Sequence, residues 1–232
     1  MSEPLIRVRG VTKRFGAAEQ ETAVLLGIDL EIRPGELTLL MGPSGSGKTT
    51  LVSILAGLLR PTSGDVDLCG FRISALDEAA VSRVRREHVG FIFQTYNLFP
   101  ALSALDNVAL GYRMRGQRIE QARANASAAL AGVGLAARER YLPGKLSSGQ
   151  KQRVAVARAL AGEPAIVLGD EPTAALDGPS AMGVMVLLRE RVTPKTAVLV
   201  VTHDHRLERY AHRTIAMEDG MIRSETLHAG GA

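Results

Sequence analysis

The residues of this chain best suited to chemistry lie at positions 42–49, which read Gly-Pro-Ser-Gly-Ser-Gly-Lys-Thr. Glycines allow successive backbone N–H groups to turn toward an anion, and a helix start adds about half a positive charge there. Lys48 adds a full charge beside the phosphates, and the Thr49 hydroxyl is suited to bind Mg²⁺. This spacing is that of a phosphate-binding loop, or P-loop, and arises by chance in about one such chain in a hundred.

The flanks of the loop favour the same interpretation over a plain glycine-rich turn. Before the loop, Leu37–Met41 is almost continuously apolar, which is typical of a central strand covered on both faces. After it, a helical run is predicted over residues 50–59. The predicted phosphate-binding residues are Gly42, Pro43, Ser44, Gly45, Ser46, Gly47, Lys48, Thr49 and Thr50.

Two adjacent carboxylates, Asp170 and Glu171, follow an apolar run at 166–168. Because adjacent side chains on extended backbone point to opposite sides, we expect different roles for them. Asp170 is suited to hold Mg²⁺ through water, and Glu171 to orient or deprotonate an attacking water. A strand that ends in Asp-Glu is usually only a solvated turn, so the assignment depends on the P-loop.

Two further strand candidates end in polar side chains. His203 follows Ala197–Val201 and is a candidate to bond the γ-phosphate or the attacking water. Its alternatives are a capping role or a metal site with His205, which lacks further ligands of the expected kind. Gln94 follows a strand candidate at 91–93 and is a candidate sensor of Mg²⁺ and the γ-phosphate. Ligands of open α/β sheets bind at such carboxyl ends of strands.

The elements that must position these groups indicate one α/β domain. Residues 5–8 and 28–32 alternate apolar and polar side chains, as half-buried antiparallel strands do. Residues 95–162 are mostly helical in pattern and predict an insertion between strands. A length of 232 residues with 46% apolar and 22% charged residues allows one large core and little disorder.

Composition disfavours several other classes of protein. The single cysteine, Cys69, cannot form a disulfide within the chain, which fits a reducing compartment. No apolar run approaches the ~20 residues that span a bilayer, and residues 1–10 lack a signal-peptide pattern, so we expect a cytoplasmic protein. An aromatic content of 4% without tryptophan disfavours a base-stacking nucleic-acid surface.

Residues 146–160, Leu-Ser-Ser-Gly-Gln followed by Lys-Gln-Arg-Val-Ala-Val-Ala-Arg-Ala-Leu, closely resemble the signature motif of ABC-transporter ATPases. We call residues 146–150 the signature segment. The family's other motifs follow in its order and approximate spacing, as the P-loop, Gln94, Asp170, Glu171, residues 175–177 and His203. The resemblance therefore covers essentially the whole chain.

This resemblance implies an ATPase with ATP and Mg²⁺ as cofactors. The implied fold is that of a P-loop NTPase, with a RecA-like core, an antiparallel β portion and an inserted α-helical lobe. Within one domain, the RecA-like and β lobe is expected at about 1–94 and 163–232, and the helical lobe at about 95–162. Catalytic roles are implied for Glu171, His203, Lys48 and Gln94, and metal contacts for Thr49, Gln94 and Asp170.

The resemblance also implies a second copy of the chain as a partner. Two copies face head to tail, and each ATP lies between one copy's P-loop and the other's signature segment. The residues implied to contact the partner's ATP are Ser147, Ser148, Gly149, Gln150 and Asp177. Three positions depart from the family: Phe15 stands where an adenine-stacking tyrosine is common, Gly169 where alanine is frequent, and Ser148 where glycine is usual. The added hydroxymethyl group of Ser148 could alter the backbone angles of the loop.

A membrane permease on another polypeptide is the other implied partner, and it places the chain on the inner face of the membrane. Residues 90–94 and 98–108 look most like the ATPases of lipoprotein-release and macrolide-export transporters. One alternative is an ATP-dependent regulatory switch on a membrane complex that moves no substrate. Another is a nucleic-acid motor using Arg83, Arg85 and Arg86, although such a charge run is more often a solvated face. No nucleic acid is expected as a partner.

Overall fold

The structure, a computed structural model, describes residues 3–16 and 21–228. The strands in these residues are β1 Ile6–Phe15, β2 Thr22–Ile32, β3 Leu37–Met41, β4 Ser63–Leu68, β5 Phe71–Arg72, β6 Val89–Ile92, β7 Ile166–Asp170, β8 Ala197–Val201, β9 Arg213–Glu218 and β10 Met221–Leu227. The α-helices are α1 Lys48–Leu55, α2 Glu78–His88, α3 Ala104–Met114, α4 Ile119–Gly132, α5 Ser148–Ala159 and α6 Gly178–Arg189. Short 3-10 helices cover Ile73–Ala75, Ala136–Arg138, Pro143–Lys145 and His205–Tyr210.

The strands form two sheets. A four-stranded antiparallel sheet has the order β2-β1-β4-β5, with Ile6 of β1 opposite Ile32 of β2. A six-stranded sheet has the order β10-β9-β3-β8-β7-β6 and is parallel except for β10 at its edge. The α/β class and the antiparallel pairing predicted from the sequence are confirmed.

The three central strands β3, β7 and β8 are buried at every residue. One face of the sheet packs on α1 and the antiparallel sheet, through residues such as Leu40, Leu51 and Val8. The other face packs on α5 and α6. Continuous apolar runs thus form these strands because both faces lie in the core. Their parallel register brings Asp170 of β7 opposite Val201 of β8, so the carboxyl ends of neighbouring strands meet at one edge.

Several element boundaries differ from the sequence expectation, and strands β1 and β2 are longer than the segments predicted at 5–8 and 28–32. Helix α1 ends at Leu55 rather than at residue 59, because Gly57 adopts a left-handed φ of 64° two residues later. Strand β6 begins at Val89 and ends at Ile92. Strands β9 and β10 were not predicted, and in β9 buried residues alternate with half-buried or exposed ones.

Helices α3, α4 and α5 surround a separate apolar cluster that includes Val108, Leu130 and Val154. All three helices lie between β6 and β7 in the chain. The lobe boundaries near residues 95 and 162 remain a prediction. Across the part of the chain that the structure describes, no helix is both long and apolar enough to span a bilayer.

Candidate active site

The P-loop leaves β3 and enters α1 through glycines in conformations that other residues avoid. Gly42, Gly45 and Gly47 have φ values of 151°, 83° and 97°. A Cβ atom on Gly42 would lie 1.9 Å from the carbonyl oxygen of Met217, so only glycine fits there. Gly47 is the N-cap of α1 and provides no side-chain cap. The first N–H groups of α1 are therefore available to an anion.

Lys48 lies inside this loop with only 7% of its surface exposed. Its ammonium donates hydrogen bonds to the carbonyl oxygens of Gly42 at 2.8 Å and Pro43 at 2.7 Å. Burial lowers the pKa of Lys48, while the charges of Glu171 and Asp170 oppose that shift. The loop thus holds a partly desolvated positive charge, whose interaction with an anion is stronger than it would be in water.

Thr49, the second residue of α1, meets the carboxyl end of β7. Its hydroxyl donates a hydrogen bond of 3.1 Å to Oδ1 of Asp170. Asp170 is 8% exposed, and burial raises its pKa even though Thr49 and Lys48 act in the other direction. A buried carboxylate beside a hydroxyl is a set of hard oxygen donors, which suits Mg²⁺. A divalent cation there would also compensate the buried negative charge.

Glu171 follows Asp170 but does not continue the strand. It has a left-handed φ of 50°, and its N–H donates to the carbonyl of Val201 at 3.0 Å. The sequence analysis assumed extended backbone at both carboxylates. That assumption was wrong, because Glu171 lies in a left-handed turn. A non-glycine residue in this region is strained, and such strain is often found at functional sites.

The side chain of Glu171 pairs with His203 beyond the end of β8. Oε1 of Glu171 lies 3.0 Å from Nδ1 of His203. The glutamate side chain is 15% exposed and the histidine side chain 69% exposed. A carboxylate and an imidazole in contact can orient a water and accept or return its proton. The two residues predicted to act on water are therefore in direct contact.

The sequence left open a metal site at His203 and His205 and a nucleic-acid surface that includes Arg85. In the structure, His205 and Arg85 have other partners. Nδ1 of His205 lies 2.5 Å from Oε1 of Glu208, so His205 does not share a ligand with His203. Within residues 3–16 and 21–228, no group of three or more His, Cys, Asp or Glu side chains could hold a metal ion. Arg85 donates to the carbonyl of Gly57 at 2.6 Å and so stabilises the end of the α1 region.

The signature segment is organised by a local capping box at the start of α5. Ser147 is the N-cap, and its hydroxyl accepts from the N–H of Gln150 at 3.3 Å. Oε1 of Gln150 accepts from the N–H of Ser147 at 3.0 Å. Ser148 is the first helical residue and has no left-handed φ. Its hydroxymethyl group therefore causes no backbone strain at this position.

The start of α6 lies against the signature segment. A Cβ atom on Gly149 would be 3.1 Å from Oγ of Ser180, so a side chain there would crowd α6. Asp177 caps α6 by accepting from the N–H of Ser180 at 2.8 Å, and hydrogen bonds from Ser180 lower the pKa of Asp177. Ser180 thus connects the two predicted partner-facing regions, although the sequence analysis did not single it out.

Phe15 and Gln94 lie on exposed backbone near the ends of strands. Phe15 ends β1 with 43% of its surface exposed, and Nζ of Lys13 lies 4.9 Å from its ring centroid. Gln94 is exposed on the loop after β6, which pairs with β7. In the described residues, hydrogen bonds join the P-loop to Asp170 and Glu171 to His203, and none joins these to Phe15, Gln94 or the signature segment.

The turn between β9 and β10 is a support of the P-loop that sequence reasoning missed. The N–H of Gly220 donates to the carbonyl of Ser46 at 3.2 Å, and the N–H of Leu26 donates to the carbonyl of Gly220 at 3.0 Å. The turn therefore connects the P-loop to β2. The dipeptide Asp-Gly at 219–220 is the hairpin signal that predicts this turn.

Comparison with known proteins gives consistent results. The sequence pattern of the family described as ABC transporter matches residues 25–174. The chain is 44% identical over 227 residues to a macrolide export ATP-binding/permease protein, MacB, of Rhodopseudomonas palustris, and covers 35% of that protein and 98% of itself. It is 45% identical over 222 residues to MacB of Chromobacterium violaceum, with 96% of this chain and 34% of that protein covered. The chain thus spans about a third of the length of these relatives.

Two solved structures cover nearly the whole of both chains. One is a dimeric post-hydrolysis state of the ATP-binding cassette MJ0796 bound to ADP and Pi, and the other is a dimeric structure of the same bacterial ABC transporter cassette. Each is 37% identical to this chain, has a TM-score of 0.91, and covers 97% of this chain and 99% of its own.

Proposed function

Because this chain belongs to the ABC transporter family, whose cassettes bind and hydrolyse ATP, we propose that it is a motor subunit that closes with a second copy on ATP and drives a membrane permease. The family predicted from the signature motif is confirmed. The observation that best supports the proposal is the contact between Thr49 and Asp170 beside the buried Lys48, directly next to the Glu171–His203 pair. These groups bring phosphate binding and water activation to one edge of the sheet.

The P-loop binds the phosphates of ATP in this proposal. Backbone N–H groups at the start of α1 and the ammonium of Lys48 lie around the β- and γ-phosphates. Thr49 and Asp170 hold Mg²⁺, with Gln94 at the neighbouring strand end as a further contact. When bound, the ion supplies positive charge that neutralises phosphate oxygens. Phe15 stacks on the adenine and keeps the ring that a tyrosine would provide.

Glu171 acts on the attacking water. Its carboxylate accepts a proton from water as the water oxygen bonds the γ-phosphorus, the bond from that phosphorus to the bridging oxygen breaks, and ADP leaves with that oxygen. His203 holds the carboxylate through the 3.0 Å contact. Glu171 leaves the strand that carries Asp170 through a left-handed turn, and its side chain contacts His203 beyond the end of β8. One carboxylate therefore serves the metal and the other serves the water.

The signature segment of a second copy completes each site. Ser147 and the N–H of Gly149 lie at the start of α5, where the helix dipole favours a γ-phosphate. In the same chain Ser147 is exposed and Gly149 is half-buried, and the hydrogen bonds of Ser147 reach only its own helix. Hydrolysis removes the γ-phosphate contacts that hold the two copies together, so chemistry is converted into separation of the copies.

A cytoplasmic helix of the permease docks in a groove of about 610 Å³ at the start of the helical region. Phe99 and Met114, which line the groove, are 51% and 56% exposed, and such large exposed apolar side chains favour a protein partner. The relatives named above combine ATP-binding and permease in their names. That combination supports a permease as the partner of this chain.

Replacement of Glu171 by Gln tests the proposal. The amide keeps the shape of the side chain but cannot accept the proton, so we expect kcat to fall roughly 10²- to 10⁴-fold while ATP affinity is retained. Addition of ATP should then trap a dimer, detected by light scattering. Replacement of Glu208 by Gln alters a carboxylate bonded to a different histidine and serves as the control. Unchanged turnover in the Glu171 variant would contradict the assignment.

A further inference from the structure

Arg158, near the carboxyl end of α5, binds the loop that follows Gln94. Its guanidinium donates to the carbonyl oxygen of Asn97 at 2.6 Å and to that of Tyr96 at 2.8 Å. Tyr96 and Asn97 have φ values of 61° and 48°, so two successive non-glycine residues lie in the left-handed region. This conformation is unfavourable by itself and persists only where surrounding contacts impose it. The guanidinium is positioned to impose it.

The environment of Arg158 differs from that of a surface arginine. Burial lowers the pKa of its guanidinium, and both of its hydrogen-bond partners are main-chain carbonyls. Desolvating a positive charge against neutral oxygens is unfavourable unless the geometry is well matched. The planar guanidinium can bond two neighbouring carbonyls at once, whereas the ammonium of lysine is a point charge on a flexible stem.

Helix α5 connects two distant parts of the proposed active site. The signature segment leads into its first turn at Ser148, and Arg158 is its penultimate residue. At about 1.5 Å per residue, these ends are roughly 15 Å apart. The Tyr96–Asn97 carbonyls lie two and three residues beyond Gln94. A single rigid helix therefore joins the segment that faces the partner's nucleotide to the loop that carries Gln94.

We propose that Arg158 is a positioning residue that couples α5 to Gln94. When the signature segment engages the nucleotide of a second copy, the displacement of α5 moves the Tyr96–Asn97 carbonyls through Arg158 and places Gln94 for hydrolysis. This inference rests on the proposed function, in which Gln94 contacts the metal and the γ-phosphate. It assigns to Arg158 an effect on turnover and no contact with ATP.

A double-mutant cycle on ATP hydrolysis tests this coupling. We expect Arg158→Met to lower kcat about tenfold and to leave the KM for Mg-ATP within about twofold, because a displaced group impairs the reaction more than binding. Gln94→Ala should also lower kcat. If Arg158 acts through Gln94, then the double variant should turn over no more slowly than Gln94→Ala alone.

Arg158→Lys and a matched arginine provide the controls. Lysine keeps the charge but cannot bond both carbonyls through a planar group, so kcat should lie between that of the parent protein and that of Arg158→Met. If Arg158→Met does not fold, then Arg158→Lys replaces it in the double-mutant cycle. Arg153 lies on the same helix and donates to the carbonyl of Val133 at 3.2 Å, so Arg153→Met removes a comparable guanidinium that is not bonded to the Gln94 loop. Its kcat should stay within about twofold of the parent protein.

The outcomes separate the two levels of the proposal. If Gln94→Ala lowers kcat and the losses of the two single variants multiply in the double variant, then the coupling through Arg158 is wrong while the role of Gln94 stands. If Gln94→Ala turns over normally, then the role of Gln94 in the proposed function is wrong and the coupling falls with it. An equal loss of kcat in Arg153→Met would show that Arg158 has only a general structural role.

Discussion

The P-loop region and the signature segment differ in how the fold holds them. Lys48 and Asp170 are 7% and 8% exposed, and the bond from Thr49 to Asp170 joins residues 121 positions apart. Ser147 is exposed, and its cap bonds reach only Gln150, three residues away. The first region is assembled by the tertiary structure, and the second by the local sequence.

This difference indicates which ligand each region serves. A buried charge beside polar partners is costly unless a ligand of opposite charge is bound, which supports the proposal that the P-loop region binds this chain's own nucleotide. A capped helix start on the surface needs nothing else from its own chain. Its open N–H dipole is available to an anion brought by another molecule. Variants in the two regions should therefore separate nucleotide binding from pairing.

Among the variants that separate the two regions, the largest effect is expected from Lys48→Ala. Loss of the buried ammonium removes charged hydrogen bonds to the phosphates, each about 1.5–3 kcal/mol, so ATP affinity of the isolated chain should fall about 10- to 100-fold. Isothermal titration calorimetry measures this directly. Lys145→Ala removes a lysine beside the signature segment and should leave the affinity unchanged. Equal losses in both variants would remove the distinction between the regions.

Ser147→Ala should have a smaller effect and of a different kind. ATP binding to the isolated chain should be unchanged, but ATP-driven dimerisation and turnover should fall roughly tenfold because a donor to the partner's γ-phosphate is lost. The same change removes a helix cap worth about 1 kcal/mol of stability. Ser103 caps α3 in the same way, with its hydroxyl accepting from Asp106 at 3.1 Å, so Ser103→Ala reproduces the stability loss alone.

Mixing the two variants sharpens this test. A dimer of one Lys48→Ala copy and one Ser147→Ala copy contains one site with both changes and one site with neither. Turnover of the mixture should therefore exceed that of either variant alone. If mixing restores nothing, the two regions do not combine across copies as proposed.

The same difference explains how much could be predicted from the sequence. The P-loop, the three central strands and the antiparallel pairing could be predicted from local patterns. A continuous apolar run indicates a strand buried on both faces, and the glycine spacing indicates a loop that binds phosphate. The capping box of the signature segment is likewise a local pattern, with Ser147 and Gln150 three residues apart. These parts needed no knowledge of distant contacts.

Other features depend on residues that only the fold brings together. The contact of Ser180 with Gly149 and the support of Ser46 by Gly220 join distant segments, and no spacing rule predicts either. The left-handed turn at Glu171 contradicts the extended geometry expected for a residue following a strand. Its N–H bond to Val201 of the neighbouring strand is a tertiary contact that overrides the local preference.

Phe15 provides a further test because it is exposed like the signature segment but is assigned to the chain's own ATP. Phe15→Leu should raise the KM for ATP roughly tenfold, since stacking on a base contributes about 1–3 kcal/mol. Phe71→Leu changes a ring of similar exposure, 45% against 43%, in the same antiparallel sheet and should have no effect. If Phe15→Leu weakens only dimerisation and leaves the KM for ATP unchanged, then Phe15 belongs to the partner-facing region instead.

The smallest expected effect is on Tm, and it has opposite signs for replacement of Asp170 beside the P-loop and of Asp177 at the cap of α6. Burial raises the pKa of Asp170 above its ordinary 3.8, so its contribution to stability is complete below that pH and is lost as pH rises through the raised value. Asp170→Asn should therefore raise Tm at pH 8 without nucleotide or Mg²⁺, and the gain should shrink on acidification.

Hydrogen bonds from Ser180 lower the pKa of Asp177, so its contribution to stability is present above pH 3.8 and is lost as pH falls through the lowered value. Asp177→Asn should thus lower Tm at pH 8. Tm shifts of the same sign in Asp170→Asn and Asp177→Asn would contradict the contrast between a buried site that needs a ligand and a helix cap that needs none.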